Sequence, residues 1–510
     1  MKRFTFLKNA FILTITSLLL RTVGIFFRVY LSNKIGAEGM GLYQLIVSIY
    51  VLASTFATSG ISTAVTRLIS EEAGRGTRRS IRRILRRAML VSLLIGLASA
   101  AAMLFGAQLI SQYWLRDMRA VPSLQILAFG LPFMGITSCL RGYFIARRKA
   151  SSTSYAQMFE QLVRIGVILL IIDRFAALGM SAACAAVMIG DILAEVGSCL
   201  YLGIGYLRDR RRLPTAGNPP ARKKGILREL LGIAVPITAG RYLNSALRTV
   251  ENLLVPNCLT KYSGSKEQAL SEFGMLKGMA MPILFFPSSF LSAFSTLLIP
   301  EISEAAALEQ SRRVKKAVQT SLRVTLLLAI PISGVFALFA KPLGMLIYGS
   351  QEVGMLIGVL APIMPFMYLE SVVDGLLKGL NQQVSSLKYS VLNSVLRISA
   401  IFFLVPARGM QGFLFVMIVS NIFTSLLNIR RLLVVTGVRI QWGQWLLKPL
   451  LAMTAGGVAS LGVQSLLSRT ALPPLLILLP AAAAGVLLYG LLLFLFGCIT
   501  REDFAWLRRR

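Results

Sequence analysis

Two arginines, Arg21 and Arg28, lie within the apolar segment RTVGIFFR close to the start of the chain. Arginine keeps its charge at physiological pH, and placing it at the centre of a bilayer costs about 2.5–3.5 kcal/mol even on a lenient scale. Because a helix turns 100° per residue, the two side chains return to within about 20° of one face, roughly 10 Å apart along the axis. A guanidinium group binds phosphate through two parallel hydrogen bonds, so the pair predicts a site for an anionic substrate such as a pyrophosphate.

A second interpretation of these arginines is structural. The first apolar segment contains no acidic residue, but Asp191 and Glu195 form an acidic i, i+4 pair in a later one and could neutralise Arg21 and Arg28. Phosphate binding and pairing with protein carboxylates both remain open, and they could hold in different states of one transporter.

Two other charged residues fit a purely structural role. Glu160 and Arg164 are four positions apart and are predicted to pair on one helix face. Arg141, at the end of an apolar segment, is predicted to extend its charged group towards the membrane surface.

Three further basic residues, Arg67, Arg248 and Lys277, are candidates for the substrate site. Arg67 lies at the end of the second apolar segment, where it could equally reach the membrane surface, and Arg248 could pair with Glu251 three residues later. Glu251 and Asn393 are candidate oxygen ligands for a coupling sodium ion. The sequence predicts no firm metal site and no cofactor.

The elements that carry these residues are membrane-spanning helices. The chain has 510 residues, 55% hydrophobic and 15% charged, which indicates an integral membrane protein. Segments of about 20 apolar residues, the length that crosses the bilayer, number fourteen. They cover approximately residues 9–31, 41–64, 88–110, 123–145, 154–172, 175–205, 230–255, 274–299, 322–340, 354–377, 388–405, 412–429, 446–466 and 474–497. The first has a basic start like a secretory signal, but it continues past Arg21 without a small-residue cleavage site and is interpreted as uncleaved.

The distribution of basic residues predicts the orientation of the chain. The net charge of +33 comes largely from the two tails and from alternate loops, such as residues 75–87 and 208–224. Lys and Arg favour cytoplasmic loops, so we expect both termini in the cytoplasm and interpret the charge as a determinant of topology near anionic lipid, not as a nucleic-acid site. The chain has no histidine, and its five cysteines share no short spacing, which excludes common zinc motifs.

Short matches recur at an offset near 230 residues and indicate an internal repeat. Residues 160–171 match 393–404, residues 69–71 match 302–304, and residues 20–23 match 247–250. Six spans in each half give a parallel repeat with its axis along the membrane normal.

The predicted fold is therefore an all-α polytopic membrane protein of about fourteen helices. Its predicted parts are a six-helix lobe at 1–206, a basic cytoplasmic linker at 207–228, a second six-helix lobe at 229–435, and two additional helices with a basic tail at 436–510.

Three segments resemble one family of membrane proteins. Residues 18–46, 140–165 and 285–305 are similar to the stage V sporulation protein B and polysaccharide-exporter branch of the MOP flippase superfamily. This superfamily includes the MurJ lipid II flippases and the MATE drug exporters, and the similarity extends along nearly the whole chain.

The resemblance implies two six-helix lobes around a central cavity that opens alternately to either side. It also implies that Arg21 and Arg28 line the cavity and bind a lipid-linked pyrophosphate, and that the two C-terminal helices form a groove for the lipid tail. In the family pattern, a further basic residue of the second helix corresponds to about Ser54, with Arg67 as the nearest arginine, and an eighth-helix arginine corresponds loosely to Lys277.

The predicted function is flipping of a polyprenyl-pyrophosphate-linked saccharide, such as lipid II or another cell-wall, spore-cortex or polysaccharide precursor, from the inner to the outer leaflet. We expect a monomer in the bacterial plasma membrane that contacts membrane lipids, uses the membrane potential, Na⁺ or H⁺, and is not an enzyme. The alternative is a MATE-like cation-coupled exporter, whose site needs acidic groups, whereas the first helix here is cationic. A glycan polymerase or ligase would need a catalytic carboxylate, a histidine or a large outer loop, whereas this chain has no histidine and its predicted outer loops are short. A non-transporting scaffold is a further alternative.

Overall fold

The computed structural model describes residues 2–58, 60–74, 78–212, 225–470 and 472–498. Within these ranges every regular element is a helix. The α-helices are α1 Lys2–Thr58, α2 Ile61–Gly74, α3 Arg78–Leu109, α4 Val121–Ala128, α5 Leu131–Ala146, α6 Ala150–Ala176, α7 Met180–Asp209, α8 Ile226–Ser263, α9 Lys266–Phe273, α10 Met281–Phe285, α11 Ser288–Ala307, α12 Ser311–Leu338, α13 Ala340–Tyr348, α14 Gln351–Leu360, α15 Met364–Gly379, α16 Gln383–Thr436, α17 Lys448–Leu467 and α18 Pro474–Leu495. Short π-helical segments cover Ile110–Leu115, Gly274–Ala280 and Gly443–Leu447, and 3₁₀ turns cover Met118–Ala120, Arg210–Arg212 and Ala361–Ile363.

The membrane-spanning character predicted from hydropathy is confirmed. In the described part of the chain, nine helical stretches are long and apolar enough to cross a bilayer, or ten if α4 and α5, which meet at a 45° bend, form one span. Predicted spans seven and eight lie in α8 and in the segment from Gly274 to α11, which are not among these stretches. The count of fourteen stays a prediction.

Two of the apolar stretches contain a break that divides them. In α1 the only residue with non-helical angles is Gly36, at φ 70° and ψ −179°, and in α16 it is Gly409, at φ 57° and ψ −140°. Glycine adopts positive φ without the steric cost that a Cβ atom brings. The breaks fall between the first and second predicted spans and between the eleventh and twelfth.

Left-handed backbone positions recur at the offset of the sequence repeat. Four pairs have positive φ and are 228 to 233 residues apart: Gly36 and Gly264, Arg116 and Gly349, Arg148 and Asn381, and Gly179 and Gly409. The first three pairs lie between corresponding predicted spans, whereas Gly179 falls within predicted span six and lies between α6 and α7 in the structure. The connections of the two halves therefore share backbone geometry as well as sequence.

The chain folds as two compact units, the first ending at Gly274 and the second beginning at Met275. Helices α8 and α9 belong to the first unit because they pack against α1, and α8 also packs against α2. The predicted lobe boundary at 207–228 rests on the repeat and stays a prediction, and residues 213–224 of that linker lie outside the described residues.

The core of the first unit lies between α2, α3, α5 and the start of α8. Its largest fully buried side chain is Tyr143, whose hydroxyl group donates to Asp209 Oδ2 at 2.7 Å. Close backbone approach joins α1 to the α9 region: a Cβ atom at Gly41 would lie 2.0 Å from the Leu270 carbonyl oxygen, and one at Gly274 would lie 1.9 Å from that of Ala37. Only glycine fits these two positions.

The second unit packs its C-terminal helices α17 and α18 against each other and against α12. Gly456 and Gly485 face each other, since a Cβ on either would lie within 2.8 Å of the other's carbonyl oxygen. Small residues allow membrane helices to approach in this way. The Tyr489 hydroxyl group donates to the Leu327 carbonyl oxygen at 2.9 Å, which ties α18 to α12.

Candidate functional site

Arg21 and Arg28 lie on the part of α1 that precedes the break at Gly36. The helix is continuous between them, so the spacing that predicts a shared face applies. Arg21 is exposed and Arg28 is half-buried. No ion pair joins Arg28 to another residue of the described ranges. The Tyr43 side chain lies within electrostatic range of Arg28, Arg164 and Asp191.

Half-buried charged side chains of the first unit form a separate ion-pair network on α5, α6 and α7. Arg141 Nη2 lies 2.7 Å from Glu160 Oε2, and Arg164 Nη2 lies 3.3 Å from Glu160 Oε1. Arg164 Nε also lies 2.7 Å from Asp191 Oδ1. The predicted pairing of Glu160 with Arg164 is confirmed. The expectation that Arg141 reaches the membrane surface is wrong, because a carboxylate on the next helix holds its guanidinium group.

The ion-pair partner of Asp191 is a guanidinium group of this network. The partner is Arg164, so the structural interpretation in which Asp191 neutralises Arg21 or Arg28 is wrong for this carboxylate. Glu195, one turn later on α7, is 7% exposed and forms no ion pair with any residue of the described ranges.

Glu195 leaves the network with an acidic excess. Glu160 and Asp191 contact the two guanidinium groups of Arg141 and Arg164, and Glu195 lies within electrostatic range of both without an ion pair. Sequence spacing could not reveal the network, since Glu160 and Arg164 are its only oppositely charged members that are near each other along the chain. Helix packing brings the other opposite charges together.

Arg67 lies on α2, where its Nε atom is 3.2 Å from Glu71 Oε1 in an exposed i, i+4 pair. Such surface pairs contribute about 0–1 kcal/mol, so Arg67 can exchange Glu71 for another anion at little cost. The structure thus places Arg67 on the predicted element and gives it a weak partner.

Arg248 lies on α8, which polar contacts hold against α1. The Thr249 hydroxyl group donates to the Ser48 carbonyl oxygen at 3.1 Å, and Asn252 Nδ2 donates to Ser48 Oγ at 3.0 Å. Arg248 is exposed whereas Glu251 is buried, and no ion pair joins Arg248 to Glu251. The alternative in which these two residues pair is therefore wrong.

Lys277 belongs to the second unit and lies in the π-helical segment Gly274–Ala280. Its ammonium nitrogen is 5.8 Å from the centroid of the Phe413 ring, within the range of a cation–π interaction. Such π-helical segments are frequent at functional sites, because they shift the side-chain register of a helix.

The two candidate ion ligands lie in different units. Glu251 is buried on α8 in the first unit, and Asn393 is half-buried on α16 in the second. The Asn393 side-chain oxygen is buried and accepts no hydrogen bond within the described structure, so it is a strong acceptor without a donor. In the described ranges, no group of three or more His, Cys, Asp or Glu side chains has the geometry of a metal site.

Comparison with known proteins agrees with this architecture. A family model described as "polysaccharide biosynthesis protein" matches residues 6–306. Stage V sporulation protein B of Bacillus subtilis (strain 168) is 25% identical over 507 residues, which cover 99% of this chain and 98% of that protein.

Two solved structures share the fold. Lipid II flippase MurJ, in an inward closed conformation, aligns with a TM-score of 0.71 and 14% identity over 94% of this chain and 98% of that one. An inward-facing multidrug resistance MATE family transporter of the MOP superfamily aligns with a TM-score of 0.66 and 14% identity, over 82% of this chain and 94% of that one. The resemblance indicated by the sequence segments is confirmed: the chain belongs to the polysaccharide biosynthesis protein family and is a multi-pass membrane protein with the all-α fold of MurJ and the MATE transporters.

Proposed function

We propose that this protein is a flippase that moves a polyprenyl-pyrophosphate-linked saccharide from the inner to the outer leaflet by alternating access. The saccharide belongs to lipid II or to a related cell-wall, spore-cortex or polysaccharide precursor. The observation that carries the proposal is that Arg28, a permanent cation on the first membrane helix, has no carboxylate partner in the described ranges, while the half-buried Asp191 is bound by Arg164. A charge in that position is stabilised when an anionic substrate reaches it.

In this proposal Arg21 and Arg28 hold the pyrophosphate of the headgroup. Guanidinium groups roughly 10 Å apart on one face can each bind one part of a phosphate-rich headgroup. Arg67 and Arg248 of the first unit and Lys277 of the second are the further proposed substrate-binding residues, and Arg67 exchanges its weak contact with Glu71 for the substrate. The polyprenyl tail stays in lipid while the headgroup crosses, so no covalent step is involved and the protein is not an enzyme.

The coupling ion in this proposal is Na⁺ or H⁺, with the membrane potential as the other energy source. The unpaired Asn393 side-chain oxygen supports a role as one ligand, and Glu251 supplies a carboxylate. We place the protein as a monomer in the bacterial plasma membrane among its lipids, with both termini in the cytoplasm, because Lys and Arg concentrate in the tails and alternate loops.

One observation favours the alternative, a MATE-like cation-coupled exporter of small molecules. The network on α5, α6 and α7 has three carboxylates and two guanidinium groups, and within the described ranges its buried member Glu195 forms no ion pair. An excess of one carboxylate over the guanidinium groups favours binding of a proton or a sodium ion, which would neutralise the extra negative charge. It is compatible with cation coupling in a flippase as well, so it does not by itself favour a cationic drug as the substrate.

The deciding experiment measures headgroup accessibility with purified protein in vesicles. Arg21→Ala and Arg28→Ala should each slow flipping of a pyrophosphate-linked lipid about tenfold or more, since one charge-assisted hydrogen bond contributes about 1.5–3 kcal/mol. Arg28→Lys should retain part of the rate. Arg174→Ala is the matched control, because this exposed arginine on α6 lies outside the predicted site.

Equal flipping by all variants would reject the binding role of the arginines. A parallel set of vesicles is loaded to measure uptake of a labelled organic cation. Cation uptake without headgroup flipping would support the exporter in place of the flippase.

A further inference from the structure

The first unit contains a cavity of about 340 Å³ that the transport proposal does not use. It lies where the π-helical segment Ile110–Leu115 meets the C-terminal part of α8 and the start of α9. Three basic residues, Arg116, Lys261 and Lys266, line it together with Asn257 and Thr260. The remaining lining is apolar, and no Asp or Glu is among the described lining residues. Asn257 Nδ2 already donates to the Leu253 carbonyl oxygen, and the Thr260 hydroxyl group donates to that of Pro256. The lining therefore offers mainly positive charge beside an apolar surface.

Asp117, which directly follows the lining residue Arg116, is already bound by other groups. Asp117 is 4% exposed, and its Oδ2 atom lies 2.9 Å from Arg119 Nη2 and 3.3 Å from Lys266 Nζ. Arg119 in turn contacts Glu38 at 2.8 Å. Arg119 and Lys266 thus balance Asp117 and Glu38, and Arg116 forms no ion pair within the described ranges. The positive charge of Arg116 is left for a ligand.

The backbone at Arg116 also favours a role for its side chain. Arg116 has φ 53° and ψ 31°, a left-handed backbone conformation that residues other than glycine adopt at a steric cost. At the corresponding position 233 residues later the chain has a glycine, Gly349, with φ 63°. Lys266 Nζ donates to the Arg116 carbonyl oxygen and holds the turn. An arginine in a position that suits glycine is consistent with a functional site.

Aromatic residues indicate the depth of this cavity in the membrane. Tyr113 and Trp114 precede Arg116, and Tyr262 follows Lys261, and all three are more than half exposed. Exposed Tyr and Trp side chains concentrate at the level of the lipid headgroups. Both segments connect spans on the side that the loop charges predict to be extracytoplasmic.

We propose that this cavity binds one phosphate-bearing lipid headgroup in the outer leaflet, with Arg116 and Lys261 as the principal cations. The proposal rests on the proposed function for its orientation. Two sources share this chemistry: the pyrophosphate of the lipid that has just crossed, and the phosphate of a bulk anionic phospholipid. Lys266 stays with Asp117 and the Arg116 carbonyl oxygen and keeps the turn in place.

The test measures binding without transport, by native mass spectrometry of the full-length protein in phosphatidylcholine nanodiscs. The probes are farnesyl pyrophosphate and phosphatidylglycerol, each titrated separately. In the double variant Arg116→Gln, Lys261→Gln, the concentration for half-occupancy of one bound probe should rise about tenfold. The double variant Arg116→Lys, Lys261→Arg keeps the charges and should bind nearly as the unaltered chain. Arg174→Gln removes one exposed positive charge elsewhere and should change nothing.

The two probes distinguish the sources of the phosphate. A tenfold loss for farnesyl pyrophosphate alone assigns the cavity to the transported lipid, and the same loss for both probes assigns it to anionic lipid in general. Unchanged binding of both probes, or an equal loss in Arg174→Gln, overturns the proposal. Loss of flipping in Arg21→Ala tests the transport site and leaves this result unaffected, because occupancy is measured without translocation.

Discussion

The half-buried ion-pair network on α5, α6 and α7 supports a quantitative prediction about stability. Replacing Arg164 by methionine removes the guanidinium group that lies 2.7 Å from Asp191 Oδ1 and 3.3 Å from Glu160 Oε1. Glu160 keeps Arg141 at 2.7 Å, but Asp191 is left without its only described ion-pair partner. Breaking a fully buried ion pair costs about 3–5 kcal/mol and a surface pair contributes about 0–1 kcal/mol, so at this half-buried pair Arg164→Met should lower the free energy of unfolding by about 1–3 kcal/mol.

The origin of that loss can be isolated with a second substitution. Asp191→Asn removes the isolated negative charge, and the double variant Arg164→Met, Asp191→Asn should lose about 2 kcal/mol less than the sum of the two single variants. The assay is SDS-induced unfolding of the purified protein in detergent micelles. Arg174→Met is the matched control on the same helix, and this exposed position should change stability by less than about 0.5 kcal/mol.

Additive stability losses in Arg164→Met and Asp191→Asn would contradict an interaction between these two residues. If the single losses add to that of the double variant within about 0.5 kcal/mol, Arg164 and Asp191 do not interact energetically, and the contact is not part of the stability of the fold.

Three further predictions concern other parts of the first unit. Gly41→Ala places a Cβ atom 2.0 Å from a carbonyl oxygen of α9 and should destabilise the protein by about 1–3 kcal/mol, whereas Gly24→Ala meets no atom within 4 Å and should not, as measured by SDS unfolding. Burial alone raises the pKa of Asp117, but hydrogen bonds from the neighbouring arginine and the charge of a lysine outweigh it, so its pKa in the folded protein lies below the usual value. The stability that this carboxylate contributes is therefore present above about pH 4 and is lost as the pH falls through the lower folded pKa, and Asp117→Asn should remove this acid dependence in unfolding curves recorded from pH 3 to pH 7. Glu195→Gln should be nearly neutral for stability, whereas Glu160→Gln loses contacts with two guanidinium groups and should cost at least about 2 kcal/mol.

Each of these predictions has an outcome that contradicts it. Equal stability of the two glycine variants would mean that the helices can separate without cost at that contact. An unchanged acid dependence in Asp117→Asn would assign it to other carboxylates. If Glu195→Gln were as harmful as Glu160→Gln, then Glu195 would be a full member of the ion-pair network.

The sequence by itself determined the class of fold and the first candidate residues. Long apolar segments must form helices in a bilayer, because each backbone amide needs an internal partner where water is absent. Arg21 and Arg28 are recognisable as candidates from the sequence alone. Permanent charges within a membrane-spanning segment are energetically costly, and such residues usually serve a function. The i, i+4 pair of Glu160 and Arg164 was predictable because a single helix fixes its geometry.

Only the tertiary structure decided which charges meet across different helices. Arg141 and Glu160 are 19 positions apart on neighbouring helices, and nothing in their spacing predicts the contact at 2.7 Å. Spacing does not predict the partner of Asp191 either. This carboxylate contacts Arg164 and not Arg28 because α6 packs against α7. Local periodicity fixes the face on which a side chain lies, whereas the packing of helices fixes its neighbour, and for a buried charge the neighbour decides whether it is structural or available to a substrate.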